Sequence, residues 1–199
     1  MTDNTPLTKP QLILASSSPR RRELLDQIQV SYKAISVNID ESHIPGESAE
    51  QFVKRLAAEK ALVGYEKNPH CTVLGSDTIV VVGSNILGKP ENKKHGIEML
   101  SLLSGKTHHV MTAVAVHNDD YKACVMCVSE VEFAELTTQQ IEAYWETSEP
   151  EDKAGAYAVQ GIAAQFIKKI NGSYSGIMGL PLFETAQLLK KSGIKILAC

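Results

Sequence analysis

The stretch LILASSSPRRRELL, residues 12–25, predicts a strand that turns directly into a helix. Its apolar residues predict a short buried strand over 11–15. Pro19 suits the first position of a helix over 19–29, because its missing N–H is not needed there. Ser18 then becomes the N-cap of that helix. A strand and a helix joined this tightly are typical of an α/β fold.

Three arginines follow the proline and occupy the first turn of this helix. Unpaired N–H groups and the helix dipole already make cations unfavourable there, by roughly 0.3–1 kcal/mol each. A polyphosphate reverses the sign, since serine hydroxyls, backbone N–H groups and guanidinium groups would point at the same oxygens. The alternative is that Arg20, Arg21 and Arg22 face solvent or pair with Glu23 and Asp26. The strand, the serines and the arginines together favour the anion site.

Composition limits the classes of protein that the chain can belong to. Its 199 residues, 43% of them hydrophobic, suit one domain with a sizeable core. A net charge of −3 argues against a broad nucleic-acid-binding surface. The apolar run over 12–15 is too short for a signal peptide or a membrane span, so we expect a cytoplasmic protein that binds neither nucleic acid nor membrane.

The four cysteines do not form a recognisable disulfide or metal framework. They are few and irregularly spaced for a chain of this length, so we expect reduced thiols. Cys124 and Cys127 resemble half of a zinc site, but the segment is predicted to be a strand. Residues three apart on a strand point to opposite faces, and no second pair follows, so we expect no zinc there.

Strands and helices alternate early in the chain, and strands cluster later. This order predicts a mixed central β-sheet flanked by helices, an α/β architecture. The helix over 48–65 rests on apolar residues at helical spacing, and Thr137 with Gln140 fits a capping box that starts a helix ending before Pro150. The other predicted strands are 31–37, 73–82, 109–116, 121–133 and 163–170, and the other helices are 92–103 and 181–193.

Two charged residues lie where apolar ones are expected. Lys60 falls within the apolar arc of the helix over 48–65, so it either meets a partner or extends its head to water along a packed stem. Asp77 interrupts the apolar strand over 73–82. It must be paired, bind a metal or lie at an exposed strand end, because burying a lone carboxylate is too costly. Alternation places Asp77 and Thr78 on opposite faces of this strand, unless the strand ends or bulges between them.

Other motifs are weak when taken alone. Asp40 and Glu41 follow a strand, where acidic residues are common, but near a phosphate site such carboxylates could hold Mg²⁺. Lys89 sits in a tight Gly-Lys-Pro turn. The glycine-bearing loops over 155–161 and 171–176 match neither the Walker motif nor the dinucleotide-binding fingerprint, so they are either ordinary turns or places where the backbone approaches a ligand.

Several motifs in order resemble the Maf family of nucleoside triphosphate pyrophosphatases. They are LASSSPRRRELL, EKA (59–61), GSDTIV (75–80), GKP (88–90), LSGKTHHVMTAVAV (103–116), DKAGAYAVQG (152–161) and NGSYSGIMGLPL (171–182). The resemblance implies a Maf/ITPase-like fold with two lobes and a cleft between them. It implies a single domain over 11–199, preceded by an N-terminal extension over 1–10.

The resemblance also implies an activity. Members hydrolyse a nucleoside triphosphate between its α and β phosphates with a divalent metal, Mg²⁺ or alternatively Mn²⁺, and they form homodimers that remove noncanonical nucleotides. Arg20, Thr78 and Gln160 resemble the branch that acts on dTTP and UTP, whereas the branch acting on methylated GTP has a bulky aromatic residue, a glutamine and a glutamate at those places. A nucleotide-binding regulator of septum formation without essential catalysis is the alternative.

Our hypothesis assigns a role to each candidate residue. Asp77 is the general base or a metal ligand, Glu41 helps to hold the metal, and Thr78 and Gln160 contact the pyrimidine. The residues expected to bind the triphosphate are Ser16, Ser18, Arg20, Arg21, Lys60 and Lys89.

Overall fold

The computed structural model describes residues 12–196, so the predicted N-terminal extension lies outside the described residues. Within them, one sheet of seven strands has the order β2-β1-β3-β5-β6-β7, with β4 paired to β3. β1 runs parallel to β2 and β3, and the other pairs are antiparallel. The strands are β1 (Leu12–Ala15), β2 (Lys33–Ile35), β3 (Thr72–Val82), β4 (Asn85–Leu87), β5 (Thr107–His117), β6 (Lys122–Phe133) and β7 (Ile167–Asn171). The prediction of a mixed sheet is confirmed.

Helices flank this sheet, and most begin at a capping side chain. Ser48 and Thr137 each form a capping box, with Gln51 and Gln140 respectively, and Asn92 caps the helix that follows it. The helices are α1 (Pro19–Gln27), α2 (Ala49–Lys67), α3 (Lys93–Leu103), α4 (Thr138–Trp145), α5 (Tyr174–Met178) and α6 (Leu182–Lys191). Short 3-10 helices span Glu149–Asp152, Ala154–Ala156 and Ile162–Phe166. Among these helices, none has the length and apolar character that a bilayer crossing requires.

Helix α2 packs very closely on one face of the sheet. A Cβ atom at Gly75 of β3 would lie 2.4 Å from the carbonyl oxygen of Ala57, so only glycine fits at this contact. Ala57 and Ala61 are the buried residues of α2 that meet this point. Small residues on both elements therefore bring the turn of α2 that carries Lys60 close to the middle of β3.

The opposite face of the sheet is covered in two parts. α1 and α6 pack with Leu12, Leu14 and Leu189 in one apolar cluster. α3, α4 and the 3-10 helices pack with Val80 and Phe133 in another. Each fully buried leucine in these clusters stabilises the fold by about 1.5–3 kcal/mol. The two parts form the two sides of a cleft and share the long strands of one sheet.

The cleft opens where one edge of β3 has a gap. β1 pairs with Thr72 to Leu74 on this edge, and β4 pairs with Val80 to Val82 further along the same edge. The other edge of β3 is occupied by β5. Among the strands within residues 12–196, none pairs with residues 75–79 on the cleft side. Side chains from both faces of β3 can therefore reach the cleft.

The structure confirms most predicted elements and corrects one. The helices over 48–65 and 92–103, the hairpin over 109–133 and the capping box of Thr137 are confirmed, and the strand predicted over 31–37 is shorter. The strand predicted over 163–170 is wrong in its first half, where Ile162–Phe166 forms a 3-10 helix. Its buried residues, Ala163 and Phe166, are three apart, which is the repeat of a 3-10 helix.

Candidate active site

The cleft forms a cavity of about 550 Å³ at the gap in β3. Each candidate residue from the sequence lies on its wall. These residues are Ser16, Ser18, Arg20, Arg21, Glu41, Lys60, Asp77, Thr78, Lys89 and Gln160. Arg22 is exposed and is not part of the wall, so only two of the three consecutive arginines face the cavity.

The hydroxyl of Ser16, in the serine turn after β1, already accepts two hydrogen bonds from the protein. Ser16 is 7% exposed, and its Oγ accepts hydrogen bonds from the backbone N–H of Ser18 and from Nη1 of Arg21, each at 3.2 Å. A hydroxyl has two lone pairs and one proton, so both lone pairs are used. The Ser16 proton is left for an acceptor in the cavity, and phosphate oxygens are acceptors.

Arg21 connects three parts of the site. Its Nε donates to the carbonyl oxygen of Gly179 at 2.9 Å, Nη1 donates to Ser16, and Nη2 lies 3.3 Å from Oγ1 of Thr78. Burial lowers the pKa of Arg21, while the nearby Asp77 carboxylate opposes that shift. An arginine side chain stays charged in proteins. Arg21 thus orients two hydroxyls and adds positive charge, although each of its nitrogens already has a protein acceptor.

Arg20 has an acidic partner that the sequence analysis did not name. Its Nη1 lies 3.5 Å from Oδ2 of Asp152, and Asp152 also pairs with Lys153. Burial would raise the pKa of Asp152, but the hydrogen bond from Lys153 lowers it below its ordinary value. Asp152 and Lys153 both line the cavity. The sequence feature that indicates Asp152 and Lys153 is the DKAGAYAVQG motif, in which they directly precede the glycine-bearing loop.

Lys60 joins two carboxylates at the centre of the site. Its Nζ lies 2.7 Å from Oε1 of Glu41 and 2.7 Å from Oδ1 of Asp77. The Lys60 and Asp77 side chains are only 12% and 11% exposed, whereas Glu41 is 58% exposed. Burial opposes ionisation of Glu41, but its hydrogen bond to Lys60 holds its pKa below the ordinary value. Lys60 therefore meets partners inside the cleft, and the alternative in which its head extends to water is wrong.

The two carboxylates suit a hard divalent cation in part. Asp77 and Glu41 both contact the Lys60 ammonium group, and their carboxylates offer oxygen, which is the donor that Mg²⁺ and Mn²⁺ prefer. Within residues 12–196, no group of three or more His, Cys, Asp or Glu side chains could hold a metal ion. The donor set fits a cation that takes its remaining ligands from phosphate oxygens and water.

Asp77 and Thr78 point to opposite faces of β3, as predicted. Asp77 contacts Lys60 of α2, whereas Thr78 contacts Arg21 and Thr112 on the other face. Both side chains line the same cavity because the cleft-side edge of β3 has no strand partner beside them in the described part of the chain. The carboxylate and the hydroxyl therefore reach one cavity from two faces.

Lys89 and Gln160 lie on the far wall of the cleft. The carbonyl oxygen of Gly88 accepts a hydrogen bond from the N–H of Gly155 at 2.9 Å, which joins the lysine turn to the glycine-bearing loop. Gly155 has φ of 69°, a conformation that favours glycine. Lys89 and Gln160 are exposed and border the cavity.

The loop that carries Gln160 is held from behind by Glu149 and Tyr144. Glu149 accepts hydrogen bonds from the N–H groups of Ile162 at 2.9 Å and Ala163 at 3.2 Å. Tyr144 donates to Glu149 at 2.7 Å and accepts from the N–H of Ala158 at 3.2 Å. These bonds fix the backbone on both sides of Gln160. The sequence analysis named neither residue, because both bind backbone groups and no side-chain pattern indicates such contacts.

The two cysteines of β6 lie on opposite faces, as predicted. Cys124 lies 3.8 Å from the carbonyl oxygen of Lys54 on the α2 side. Cys127 is on the α5 side, where a Cβ atom at Gly176 would lie 3.3 Å from its Sγ. The two thiols cannot share a metal ion.

This arrangement of cations, hydroxyl donors and paired carboxylates in an α/β cleft defines a site for a polyphosphorylated ligand. The comparison with known families then identifies the group. A family model described as "Maf-like protein" matches residues 11–192, and the chain belongs to the Maf family.

Similar proteins cover nearly the whole chain. A dTTP/UTP pyrophosphatase of Alkalilimnicola ehrlichii is 52% identical over 190 residues, which is 92% of this chain and 94% of that protein. A dTTP/UTP pyrophosphatase of Colwellia psychrerythraea is 49% identical, over 96% of this chain and 92% of that protein. The structure of a HAM1 protein from Coxiella burnetii covers 90% of this chain and 98% of its own, with a TM-score of 0.51 and 15% identity, and shows the same fold.

Proposed function

We propose that this chain hydrolyses dTTP and UTP between the α and β phosphates and releases the nucleoside monophosphate and pyrophosphate. Water adds to the α phosphorus, and the bond from that phosphorus to the bridging oxygen breaks. The single observation that carries the proposal is that the cations, the carboxylate pair and the polar groups Thr78 and Gln160 line one cavity. Relatives about half identical to this chain are named dTTP/UTP pyrophosphatases, which supports the same activity.

The triphosphate is proposed to lie between the two sides of the cleft. On one side, Ser16 offers its proton, Ser18 begins α1, and Arg20 and Arg21 add positive charge. Lys89 faces it from the other side, and Lys60 approaches from α2. Charge spreads over phosphate oxygens in the transition state, so cations fixed in advance lower the barrier.

Asp77 is proposed as the group that activates water, either as the general base or as a ligand of the metal, with Glu41 beside it. Mg²⁺, or alternatively Mn²⁺, bound there would lower the pKa of a bound water and neutralise phosphate charge. Lys60 donates to both carboxylates, so its ammonium group compensates their negative charge and holds the two side chains in place.

The pyrimidine is proposed to contact Thr78 and Gln160. The amide of Gln160 has a donor and an acceptor, which suits the adjacent carbonyl and N–H of uracil or thymine. The bonds from Glu149 and Tyr144 to the neighbouring N–H groups hold the backbone on both sides of Gln160.

We further propose a homodimer that works in the cytoplasm on noncanonical nucleotides. Exposed apolar side chains on α5, α6 and β6, namely Tyr174, Phe183 and Val128, supply a surface for a second copy. The free thiols of Cys71, Cys124 and Cys127 fit a reducing compartment. Sedimentation of wild type against Phe183→Glu tests the dimer, and an unchanged molecular mass would argue against this surface.

The decisive experiment measures pyrophosphate release from a panel of nucleoside triphosphates, with and without Mg²⁺. We expect dTTP and UTP to be cleaved only with the metal and Asp77→Asn to abolish release while still binding UTP. The alternative, a nucleotide-binding regulator without essential catalysis, has no specific observation in its favour. It would be supported if wild type bound UTP without releasing pyrophosphate, and free phosphate or a phosphorylated acceptor in place of pyrophosphate would contradict the proposed bond cleavage.

A further inference from the structure

An arginine of α2 contacts the loop that carries Glu41 from outside the active-site cavity. The loop over residues 36–48 joins β2 to α2 and contains no helix or strand. Arg55 reaches this loop with two nitrogens. Its Nε donates to Oε1 of Glu47 at 2.8 Å, and its Nη2 donates to Oε2 of Glu47 and to the carbonyl oxygen of Ser42, each at 2.9 Å. Of the residues that the structure describes, those lining the active-site cavity do not include Arg55.

The contact with Ser42 lies next to Glu41 in the chain. Between protein groups within residues 12–196, it is the only hydrogen bond that joins the backbone of residues 40–43 to another element. The Glu41 side chain is 58% exposed, so packing does little to fix its place beside Lys60. The position of the Glu41 carboxylate therefore depends on the contact that Arg55 makes with the loop backbone.

The contacts of Arg55 require a guanidinium group. Nε and Nη2 bind the two oxygens of Glu47 as a fork, and Nη1 lies 3.3 Å from Oε1 of Glu59 one turn further along α2. The hydrogen bond from Arg55 lowers the pKa of Glu47, which keeps this pair ionised. A lysine has one ammonium group on a flexible stem, so it cannot hold both loop acceptors in this planar geometry. Arg55→Lys therefore keeps the charge and loses the geometry.

We propose that Arg55 is a positioning residue that holds the Glu41 carboxylate toward Asp77, so that the two carboxylates bind the divalent cation of the reaction together. A carboxylate ligand that is exposed gains affinity when its backbone is fixed in advance. Replacing a residue that orients a metal ligand typically lowers metal affinity or activity by about 10–100-fold. This inference rests on the proposed function and adds to it a residue outside the cavity.

The first measurement is the Mg²⁺ concentration that gives half-maximal pyrophosphate release from UTP in wild type, Arg55→Lys and the control Lys54→Gln. Lys54 is the neighbour of Arg55 on α2 and pairs with Glu50 of the same helix at 3.9 Å. The control therefore alters the same part of α2 and leaves the loop contact in place. We expect the Mg²⁺ requirement to rise about tenfold or more in Arg55→Lys and to stay at the wild-type value in Lys54→Gln.

The second measurement needs no turnover. In α,β-methylene-UTP a carbon replaces the bridging oxygen, so the nucleotide binds without being cleaved. Its Kd is measured by calorimetry with Mn²⁺ and with EDTA. In Arg55→Lys we expect affinity with Mn²⁺ to fall about tenfold or more and affinity with EDTA to stay within about twofold of the wild-type value. General damage to the cleft would lower both affinities by the same factor, and that result would overturn the inference.

A double variant tests whether Arg55 acts through Glu41. Once Glu41→Gln has removed the carboxylate, the loss of its support should have little further effect. We expect Arg55→Lys/Glu41→Gln to need the same Mg²⁺ concentration as Glu41→Gln, within about twofold. If Arg55→Lys raises the Mg²⁺ requirement by the same factor with and without the Glu41 carboxylate, the inference is wrong.

The outcomes separate this inference from the proposed function. Wild type that releases no pyrophosphate from dTTP or UTP at any Mg²⁺ concentration would refute the proposed function itself. Active wild type with an unchanged Mg²⁺ requirement in Arg55→Lys would refute the inference alone. Glu47→Gln replaces Arg55→Lys if the lysine variant does not fold, because it weakens the same contact from the loop and leaves α2 unchanged.

Discussion

Lys60 donates to Asp77 across 2.7 Å, from a helix to the strand that this helix covers. Both side chains are nearly buried, so each compensates the charge of the other where water is scarce. The contact depends on the close approach of α2 and β3 at Gly75. The packing of α2 on β3 therefore also sets the positions of these two charged groups.

Removing Lys60 should destabilise the protein through Asp77. We expect Lys60→Met to lower the free energy of unfolding by about 3 kcal/mol, because it leaves the Asp77 carboxylate without its partner. The double variant Lys60→Met/Asp77→Asn should lose less than the sum of the two single variants. Urea denaturation of the four proteins measures this coupling, and strict additivity would show that the pair does not interact.

Replacing Ser16 should weaken binding of the triphosphate. Ser16→Ala removes a hydroxyl proton that the surrounding protein leaves for the cavity, so we expect UTP affinity to fall about tenfold or more. The measurement is the Kd for UTP in an Asp77→Asn background, where turnover does not interfere. Ser101→Ala is the control, because Ser101 is exposed on α3 and bonds only the carbonyl oxygen of Ile97 in its own helix. Equal affinities in the two variants would remove Ser16 from the phosphate site.

Changing Gln160 should affect substrate use and leave the fold intact. Gln160→Glu replaces the amide donor with a second acceptor, so we expect kcat/KM for dTTP and UTP to fall about tenfold or more. Its side chain is exposed, so the thermal midpoint should stay close to the wild-type value. Activity assays test the expected loss of kcat/KM, and a thermal scan tests the expected midpoint. Unchanged turnover of dTTP would contradict a contact between Gln160 and the base.

Stability should depend on the protonation of His108. This side chain is fully buried beside Tyr157, and burial lowers its pKa to about 4. The unfolded chain binds the proton near pH 6.5, so the stabilising contribution is complete above that pH and is lost as the pH falls toward 4. Between these two pH values we expect a loss of about 3 kcal/mol.

The variant His108→Phe isolates this effect from other acid-sensitive groups. Its absolute stability will differ because Tyr157 loses a hydrogen-bond partner, so the comparison uses the slope of unfolding free energy against pH. We expect that slope to be smaller in the variant between pH 4 and 6.5. Parallel slopes in the two proteins would assign the acid sensitivity to other groups.

The sequence predicts the cavity wall well because its residues break local rules. Cations in the first turn of α1, a lysine within an apolar arc and a carboxylate in an apolar strand each require a partner that the local sequence does not supply. These conflicts located Arg20, Lys60 and Asp77 without any tertiary information. Asp77 and Thr78 on opposite faces followed from strand alternation.

Residues that obey local rules were missed. Thr112 is an ordinary strand residue, and its contact with Thr78 depends on the register that pairs the two residues across 34 positions of the chain. Glu149 and Tyr144 act on backbone groups, which no side-chain pattern reveals. α5 is only five residues long and contains a glycine, so its helical character rests on the Ser173 cap and on packing.

Among the described residues, no strand pairs with residues 75–79 on the cleft-side edge of β3, so both faces of this strand border the cleft. In the proposed function, the α2 face of the sheet supplies Lys60 and Asp77 for the hydrolysis, and the opposite face supplies Thr78 for the contact with the base. Substitutions on the face that carries Thr78 would then change the nucleotide that binds without moving the groups proposed for hydrolysis. A few exchanges of hydroxyl and amide side chains would give the same fold a different substrate.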